Sequence, residues 1–455
     1  MQILKFGGSS VASAPNIEQV CAIIECALQK DKTIVVASAL GGCTNTLVEI
    51  GNMAAKHDAA YTRLLDTVVL RHQQMVDELG LPEQPDLQIL INGLQEACQG
   101  VYLLQELSLR TLDRIMSYGE LLSTTIISRF LHHKGIPNHR IDARQIIRTN
   151  HQYGNAQVEM EATMQAVENQ LASYPSRLYI VPGFIASNDE GVTTTLGRGG
   201  SDYTASLLAV CAKARILEIW TDVSGMMTAD PRVVPQARPI PHISYKEALE
   251  LSHFGAKVVY PPTIQPVVSH HIPIKIKNTF APEASGTLIE LNPPESDSRL
   301  RGLSASSGIA LLSMEGSGMV GVPGYSARLF SALAAEKINI ILITQASSVH
   351  TMCVAIEEKS AEAAKKAVDG TFAYEISLQK VEPLRVETGF SIITLVGDDL
   401  QQQSGTGGRM FEALGRRGIN IRAIAQGSSE KNISTVVHTL DEAEALRAIH
   451  EAFFS

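Results

Sequence analysis

"ILKFGGSSV" (residues 3–11) opens the chain with an apolar, strand-like run, two glycines and two serines. This is the outline of a phosphate-holding loop, because glycines after a strand let backbone N–H groups approach an anion closely. Its one cation, Lys5, stands before the glycines. In the nucleotide-binding pattern G-x-x-x-x-G-K-[ST] the lysine follows them at the start of the helix. The stretch therefore asks what a lysine on the strand side of such a loop is for.

Outward from this point, short β-rich runs alternate with helical periodicity over the first 300 residues. Strands are predicted at Gln2 to Phe6, Thr33 to Ser38, Leu178 to Phe184 and Ile216 to Thr221, each bounded by Gly, Pro or Ser. Helices are predicted at Asn16 to Gln29, over much of Ala59 to His132, at Val158 to Ser173 and at Tyr203 to Ala214. Such alternation implies a mostly parallel sheet covered on both faces. The long helical stretch from 59 to 132 is extra to that pattern and could supply a lid or a dimer face.

The polar run "LNPPESDSRLRG" (291–302) reads as a linker. Beyond it the chain repeats itself. Leu311 to Ser348 aligns without a gap on Ile392 to Ser429, at a constant offset of 81 residues, with 13 identities over 38 positions. Chance alone gives roughly 2 to 4, so this is a duplication. The matches include Arg328/Arg409, Phe330/Phe411, Ile338-Asn339-Ile340 against Ile419-Asn420-Ile421, and Gln345/Gln426, each followed by paired serines. Each copy reads strand, glycine-containing loop, helix, strand. The first copy carries "GSGMVG" (316–321), but no acidic residue stands about 20 positions on to hold a ribose, so the glycines read as shaping a loop or turn.

The chain has 455 residues, which is room for two to four domains. Its hydrophobic fraction of 45% and charged fraction of 19% are those of a folded globular protein, and no apolar run is long enough to span a membrane. A net charge of -9 argues against a nucleic-acid surface, so an anionic ligand must meet a local cluster of cations. Met1 leads straight into the first strand without a signal-peptide pattern, and a cytoplasmic protein is expected. The six cysteines are scattered without a C-x-x-C pair and the histidines lack H-E-x-x-H spacing, so buried free thiols and no protein-held metal are expected.

Four further stretches carry chemistry. "TTTLGRGGSDYTASLLAV" (193–210) runs a glycine loop containing Arg198 into an apolar helix, an anion site in outline. An N-cap at Ser201 or Asp202 is the plainer reading, but it leaves Gly-Arg-Gly-Gly unexplained. "SYGE" (117–120) fits a capping box, which assigns Glu120 a structural role at a helix start. "IWTDVSGMMTADPR" (219–232) runs from a strand end into a loop with Asp222 and Asp230, where open α/β sheets bind ligands and where Asp-Pro also simply turns the chain. "FGAKVVYPPT" (254–263) ends a helix at Lys257, either bringing a cation to a phosphate or favouring a helix C-terminus.

Together "KFGGSS", "SYGE", "TTTLGRGGSDYTA", "IWTDVSG…DPR" and "FGAK", in this order and followed by the duplicated module, resemble the aspartate kinases of the amino-acid kinase superfamily. Within that family the chain is most similar to the kinase part of bifunctional aspartate kinase–homoserine dehydrogenases, through "NIILITQASS" and "NIRAIAQGSS". The resemblance implies an α/β amino-acid-kinase sandwich with a mostly parallel central sheet over residues 1–295, then two ferredoxin-like ACT modules at 303–385 and 386–455, the last segment of which could pack back on the first module. The implied activity is ATP-dependent, Mg2+-assisted phosphorylation of L-aspartate to 4-phospho-L-aspartate, the first step towards threonine, lysine and methionine.

On this resemblance Lys5 reaches the β- and γ-phosphates from the strand side, Gly7, Gly8 and Ser9 offer backbone amides, Asp202 holds Lys5, and Lys257 adds charge. Thr221, Asp222 and Arg232 belong to the nucleotide site. Arg198 binds the substrate α-carboxylate, Glu120 its ammonium, and Thr44, Gly199 and Ser201 complete the substrate pocket; here the substrate role of Glu120 overrides the capping box. Asn339, Ile340, Gln345, Asn420 and Gln426 are the implied effector residues, with threonine favoured over lysine, and two such sites favour a homodimer or higher homo-oligomer. The chain departs from the family's pattern at Met227, where many relatives have tyrosine, and at Tyr260, where a histidine usually precedes the proline. Phosphorylation of another acid, or a non-catalytic amino-acid sensor, are the competing readings.

Overall fold

The computed structural model describes residues 1–253, 259–294, 300–319, 322–345, 351–397, 404–427 and 431–454. The chain forms two compact units. The first holds Met1–Met226, Pro241–Tyr245 and Val258–Pro294, and the second holds Met227–Ile240, Lys246–Lys257 and Glu295–Ser455.

The first unit runs β1 (Gln2–Phe6), α1 (Ala14–Lys30), β2 (Thr33–Ala37), α2 (Cys43–Ala55), α3 (Tyr61–Glu78), α4 (Pro85–Leu104), α5 (Leu109–His133), β3 (His139–Arg140), α6 (Met160–Ser173), β4 (Leu178–Pro182), β5 (Ile185–Ser187), β6 (Thr193–Thr195), α7 (Gly200–Cys211), β7 (Leu217–Thr221) and β8 (His242–Ser244). After α8 (Tyr245–His253), most of which belongs to the second unit, it closes with α9 (Pro261–Ser269), β9 (Ile274–Asn278) and β10 (Thr287–Glu290). The sheet order is β3-β4-β2-β1-β7-β9-β10-β8, parallel throughout except where β10 meets β9. Strands β1, β2 and β4 are buried at every position, which is why they show no inside–outside alternation; in β1 the polar Gln2 and Lys5 are buried with their apolar neighbours.

The helical stretch resolves into α3, α4 and α5. Helix α5 is buried from Ile115 to Ser128, an unusual place for its Ser and Thr side chains. Their hydroxyls are satisfied by donating to nearby carbonyls: Thr124 to Glu120 at 2.7 Å, Thr125 to Leu121 at 2.7 Å and Ser123 to Ser38 at 2.8 Å. The helix begins at Leu109 with Ser108 as its N-cap, so Glu120 lies in its interior. The capping-box reading of Ser117–Glu120 is thereby corrected: a Ser-x-x-Glu spacing can box only free amides, and an interior turn has none.

The second unit contains the duplicated modules: β11 (Leu300–Glu315), α10 (Tyr325–Ala335), β12 (Ile340–Gln345), β13 (Thr351–Glu357), α11 (Ala361–Thr371), α12 (Ala373–Ser377), β14 (Arg385–Gly397), α13 (Thr406–Arg416), β15 (Ala423–Gln426), β16 (Asn432–His438) and α14 (Glu442–Phe454). Its antiparallel sheet has the order β12-β13-β11-β14-β16-β15. The modules exchange strand halves. Leu300 to Ser306 of β11 pair with the second half of β14, beside β16, while Arg385 to Phe390 of β14 pair with the second half of β11, beside β13. Each module thus completes a β-α-β-β-α-β plan with a strand from the other's sequence. Leu300, Arg301 and Gly302, expected as linker, are the start of this shared strand.

The repeat is visible in the packing. One cluster on the sheet pairs Ile309 with Phe390, Leu311 with Ile392, Leu342 with Ala423, and Ala355 with Val436, all at the same offset as the sequence repeat. The repeated arginines also act alike. Arg328 donates to the carbonyl of Thr371 at the end of α11 and stacks on Phe372; Arg409 donates to the carbonyl of Ala452 near the end of α14 and stacks on Phe453. Cations are favoured at helix C-termini, and both modules use the same one.

Candidate active site

The C-terminal ends of parallel strands are where an open α/β sheet exposes loop amides, and the first unit has its cleft there. The cleft measures about 530 Å³. Its walls come from the loops after β1 and β2, from α5, and from the loop that enters α7.

The loop after β1 turns at once into a short 3-10 segment, Gly8–Val11. Gly8 allows the loop after β2 to lie against it: a Cβ at Gly8 would come within 3.0 Å of the Ala39 carbonyl oxygen and 3.2 Å of Gly41 Cα. The amide of Gly41 donates to the carbonyl of Gly8 at 2.9 Å. Arg71 of α3 then ties the two loops together, donating to the carbonyls of Gly41 at 2.8 Å and Ala12 at 3.0 Å.

Lys5, at the penultimate position of β1, is 9% exposed, and its Nζ stands 2.8 Å from Oδ1 of Asp202. Asp202 is thus the ion-pair partner of the lysine. Asp202 lies in the first turn of α7, whose N-cap is Gly199 in the left-handed region at φ 71°. The plain N-cap reading of Ser201 or Asp202 is therefore not what the fold builds: the helix starts on glycine, leaving the amides of its first turn without a side-chain cap.

Glu120 points from α5 into the same cleft. Its Oε1 accepts from the Ala39 amide at 3.3 Å, while Oε2 is buried with no hydrogen-bond partner. Burial pushes its carboxyl up to about 8. A buried acid with one oxygen unspent is a receptor for a cationic group. Arg198 lines the cleft from the loop before α7, with its guanidinium over the ring of Tyr260.

Lys5, Gly8, Thr44, Glu120, Arg198, Gly199, Ser201 and Asp202 all line the cleft. Gly7 stands at the end of β1, where its amide donates to the Trp220 carbonyl at 3.2 Å, and Ser9 is exposed in the adjoining turn. Thr221 ends β7, the strand beside β1, and its hydroxyl donates to Asp222 at 3.1 Å; both stand at the same sheet edge but outside the cleft lining. Arg232 belongs to the second unit, where it forms a bidentate pair with Asp230. Lys257 lies outside the described residues. In the second unit Asn339 and Asn420 are exposed just before or near β12 and β15, Ile340 begins β12 half-buried, and Gln345 and Gln426 end those strands exposed.

Residues that local motifs did not reveal hold this arrangement. Asp113 is fully buried on α5 and accepts from the Gly154 amide at 2.9 Å, the Thr195 amide at 3.1 Å and the Thr195 hydroxyl at 2.7 Å, tying the wall beside Arg198. Phe184 lines the cleft at φ 67°, a backbone state costly for a bulky side chain. The glycine pair Gly41-Gly42 before α2 was a legible signal, since Gly42 takes φ 83° as its N-cap.

Residues 1–278 match the amino acid kinase family, and residues 312–372 and 393–453 match the ACT domain. The bifunctional aspartokinase/homoserine dehydrogenase of Haemophilus influenzae is 36% identical over all of this chain, which covers 57% of that relative. The chain spans about half the length of most of the curated bifunctional relatives it matches. Among solved structures, E. coli aspartokinase III in complex with aspartate and ADP is 30% identical, with a TM-score of 0.83 and complete coverage of both chains. The same enzyme in complex with lysine and aspartate is 31% identical, with a TM-score of 0.80. With the match to the family covering more than half of its residues and an aspartokinase matched end to end, the chain belongs to the amino acid kinase family and, within it, to the aspartokinases.

Proposed function

We propose that the protein transfers the γ-phosphoryl group of ATP to the side-chain carboxylate of L-aspartate, giving 4-phospho-L-aspartate and ADP. The observation that carries this reading is one cleft holding the Lys5–Asp202 pair, Arg198 and the half-spent Glu120. The likeness to an aspartokinase solved with aspartate and ADP supports it.

The acceptor is ionised at neutral pH, so no base is required. A carboxylate oxygen of the substrate bonds to the γ-phosphorus as the bond to the β–γ bridging oxygen breaks, and the electron pair leaves with ADP. Catalysis then consists of alignment and charge neutralisation. Lys5 meets the β- and γ-phosphates from β1, and Asp202 holds it there. This is the use of a lysine placed before the glycines: the strand delivers it to the edge where phosphates lie, while Gly8 and Ser9 present amides and the Gly7 amide, bonded to the Trp220 carbonyl, fixes the loop to β7. Arg198 takes the α-carboxylate, Glu120 the ammonium, and Thr44, Gly199 and Ser201 close the pocket. Thr221 and Asp222 complete the nucleotide set.

Among the described residues no three His, Cys, Asp or Glu side chains form a metal cage. The donor set of the cleft fits a Mg2+ carried on phosphate oxygens, which would neutralise charge on the transferring group.

The reading extends to a cytoplasmic homodimer or higher homo-oligomer with a kinase domain over 1–295 and regulatory modules at 303–385 and 386–455. Its product would feed synthesis of threonine, lysine and methionine. Asn339, Ile340 and Gln345, with Asn420 and Gln426, are proposed to bind an amino-acid effector, threonine before lysine, supported by likeness to the bifunctional relatives. Lysine is the ligand named for E. coli aspartokinase III and is the alternative here. The test is acyl-phosphate formation from Mg-ATP and L-aspartate, trapped with hydroxylamine, with threonine or lysine added. Hydroxamate suppressed by threonine supports the full reading. Suppression by lysine alone moves the effector, and no hydroxamate with aspartate overturns the activity.

A further inference from the structure

Arg198 is exposed, and among the described residues the group that meets its guanidinium is the ring of Tyr260, centred 5.4 Å from Cζ. No described carboxylate or carbonyl takes its N–H donors. Tyr260 itself is 39% exposed, an uneconomical place for an aromatic ring that serves only packing.

The backbone that carries the ring is fixed at the start of α9. Tyr260 is the residue before α9, followed by two prolines, and its carbonyl accepts from the Thr263 amide at 3.0 Å and the Thr263 hydroxyl at 2.7 Å. It lies over Gly199, the N-cap of α7. A Cβ at Gly199 would come within 2.8 Å of Thr263 Cγ2 and 3.0 Å of Tyr260 Cδ1. The missing side chain at 199 is what admits the ring beside Arg198.

A carboxylate beside Arg198 would fix it but would consume the donors and the charge that an anionic ligand needs. An aromatic face attracts the guanidinium plane through its π density and leaves the N–H edge unspent. We propose that Tyr260 is a positioning residue that presents Arg198, edge outward, to the α-carboxylate of the amino-acid substrate. This rests on the substrate reading of Arg198.

The test uses the full chain with Tyr260→Leu, which keeps apolar bulk but removes the π face, and Tyr260→Phe, which keeps the ring. Tyr260→Leu is expected to raise the KM for aspartate about fivefold, with kcat and the KM for ATP within about twofold of the parent, and Phe is expected to restore the parent KM. In an Arg198→Ala background Tyr260→Leu should raise the KM no further, because the ring acts through Arg198. An unchanged KM in Tyr260→Leu, a full additional effect in the double variant, or failure of Phe to rescue overturns the inference alone. If Arg198→Ala leaves the aspartate KM unchanged, the substrate reading of Arg198 falls first and takes this inference with it.

Discussion

Lys5 Nζ lies 2.8 Å from Asp202 Oδ1, joining the first strand of the chain to a helix that begins nearly 200 residues later. Neither side chain is more than 17% exposed. Strand β1 sets the height of the lysine above the sheet, and the glycine-started helix α7 sets that of the aspartate. Lys5→Ala is expected to lower kcat by about 10²- to 10³-fold, the usual cost of removing one transition-state charge partner, with little change in melting temperature. Steady-state kinetics beside a thermal melt decide this, and near-parent turnover would remove Lys5 from the phosphate role. Asp202→Asn should cost less, because it loosens the lysine without deleting it.

Glu120 gives a pH signature. Burial raises its carboxyl from about 4.5 to about 8, so between these values the folded chain holds a proton that the unfolded chain has released. Its contribution to stability therefore falls as pH rises through that window, and Glu120→Gln should abolish that part of the fall in a melting-temperature profile. An ammonium needs the ionised form, so the KM for aspartate should rise as pH drops below about 8. Glu120→Gln should flatten that rise while raising KM roughly 10- to 100-fold, the value of a charge-assisted hydrogen bond. A variant that keeps the parent pH profile would rule out Glu120 as the ammonium receptor.

Arg71 donates to Gly41 and Ala12 from outside the cleft. Replacing it with methionine keeps the stem and leaves two carbonyls without their charged donor, at about 1 to 3 kcal/mol in stability. Because those carbonyls belong to the two loops facing the ligands, KM for both ATP and aspartate should rise together. A melting temperature that drops with both KM values unchanged would make Arg71 a fold residue only.

In the regulatory unit, Gln345→Ala is expected to raise the threonine concentration for half-inhibition about tenfold or more, the cost of an unpaired polar contact. Gln426→Ala, at the repeated position, should act in the same direction. Dose–response curves under saturating substrates read both. Identical curves for parent and variants would move the effector away from these strand ends.

The local chemistry was largely legible before folding. The glycine loops after β1 and before α7 announce themselves because backbone freedom and anion access are properties of a few adjacent residues. The duplication is legible because identical spacing survives in the chain, as Arg328 and Arg409 show by capping α11 and α14 in the same way. Strand positions β1, β2, β4 and β7 follow from short runs rich in β-forming residues. Helix starts are less local: Glu120 reads as part of a capping box until α5 is seen to begin at Leu109.

Residue order alone thus determined the fold class, the repeat and the identity of most groups in the cleft. Tertiary structure decided what those groups are worth. Whether Glu120 caps a helix or waits as a buried, half-satisfied acid depends on β2 and the Ala39 amide packing against it. Whether Leu300 to Gly302 is linker or strand depends on β14 offering a free edge. Whether Arg198 is paired or held ready depends on a ring 62 residues away. Burial, pairing and desolvation are set by neighbours distant in sequence, and no local pattern carries them.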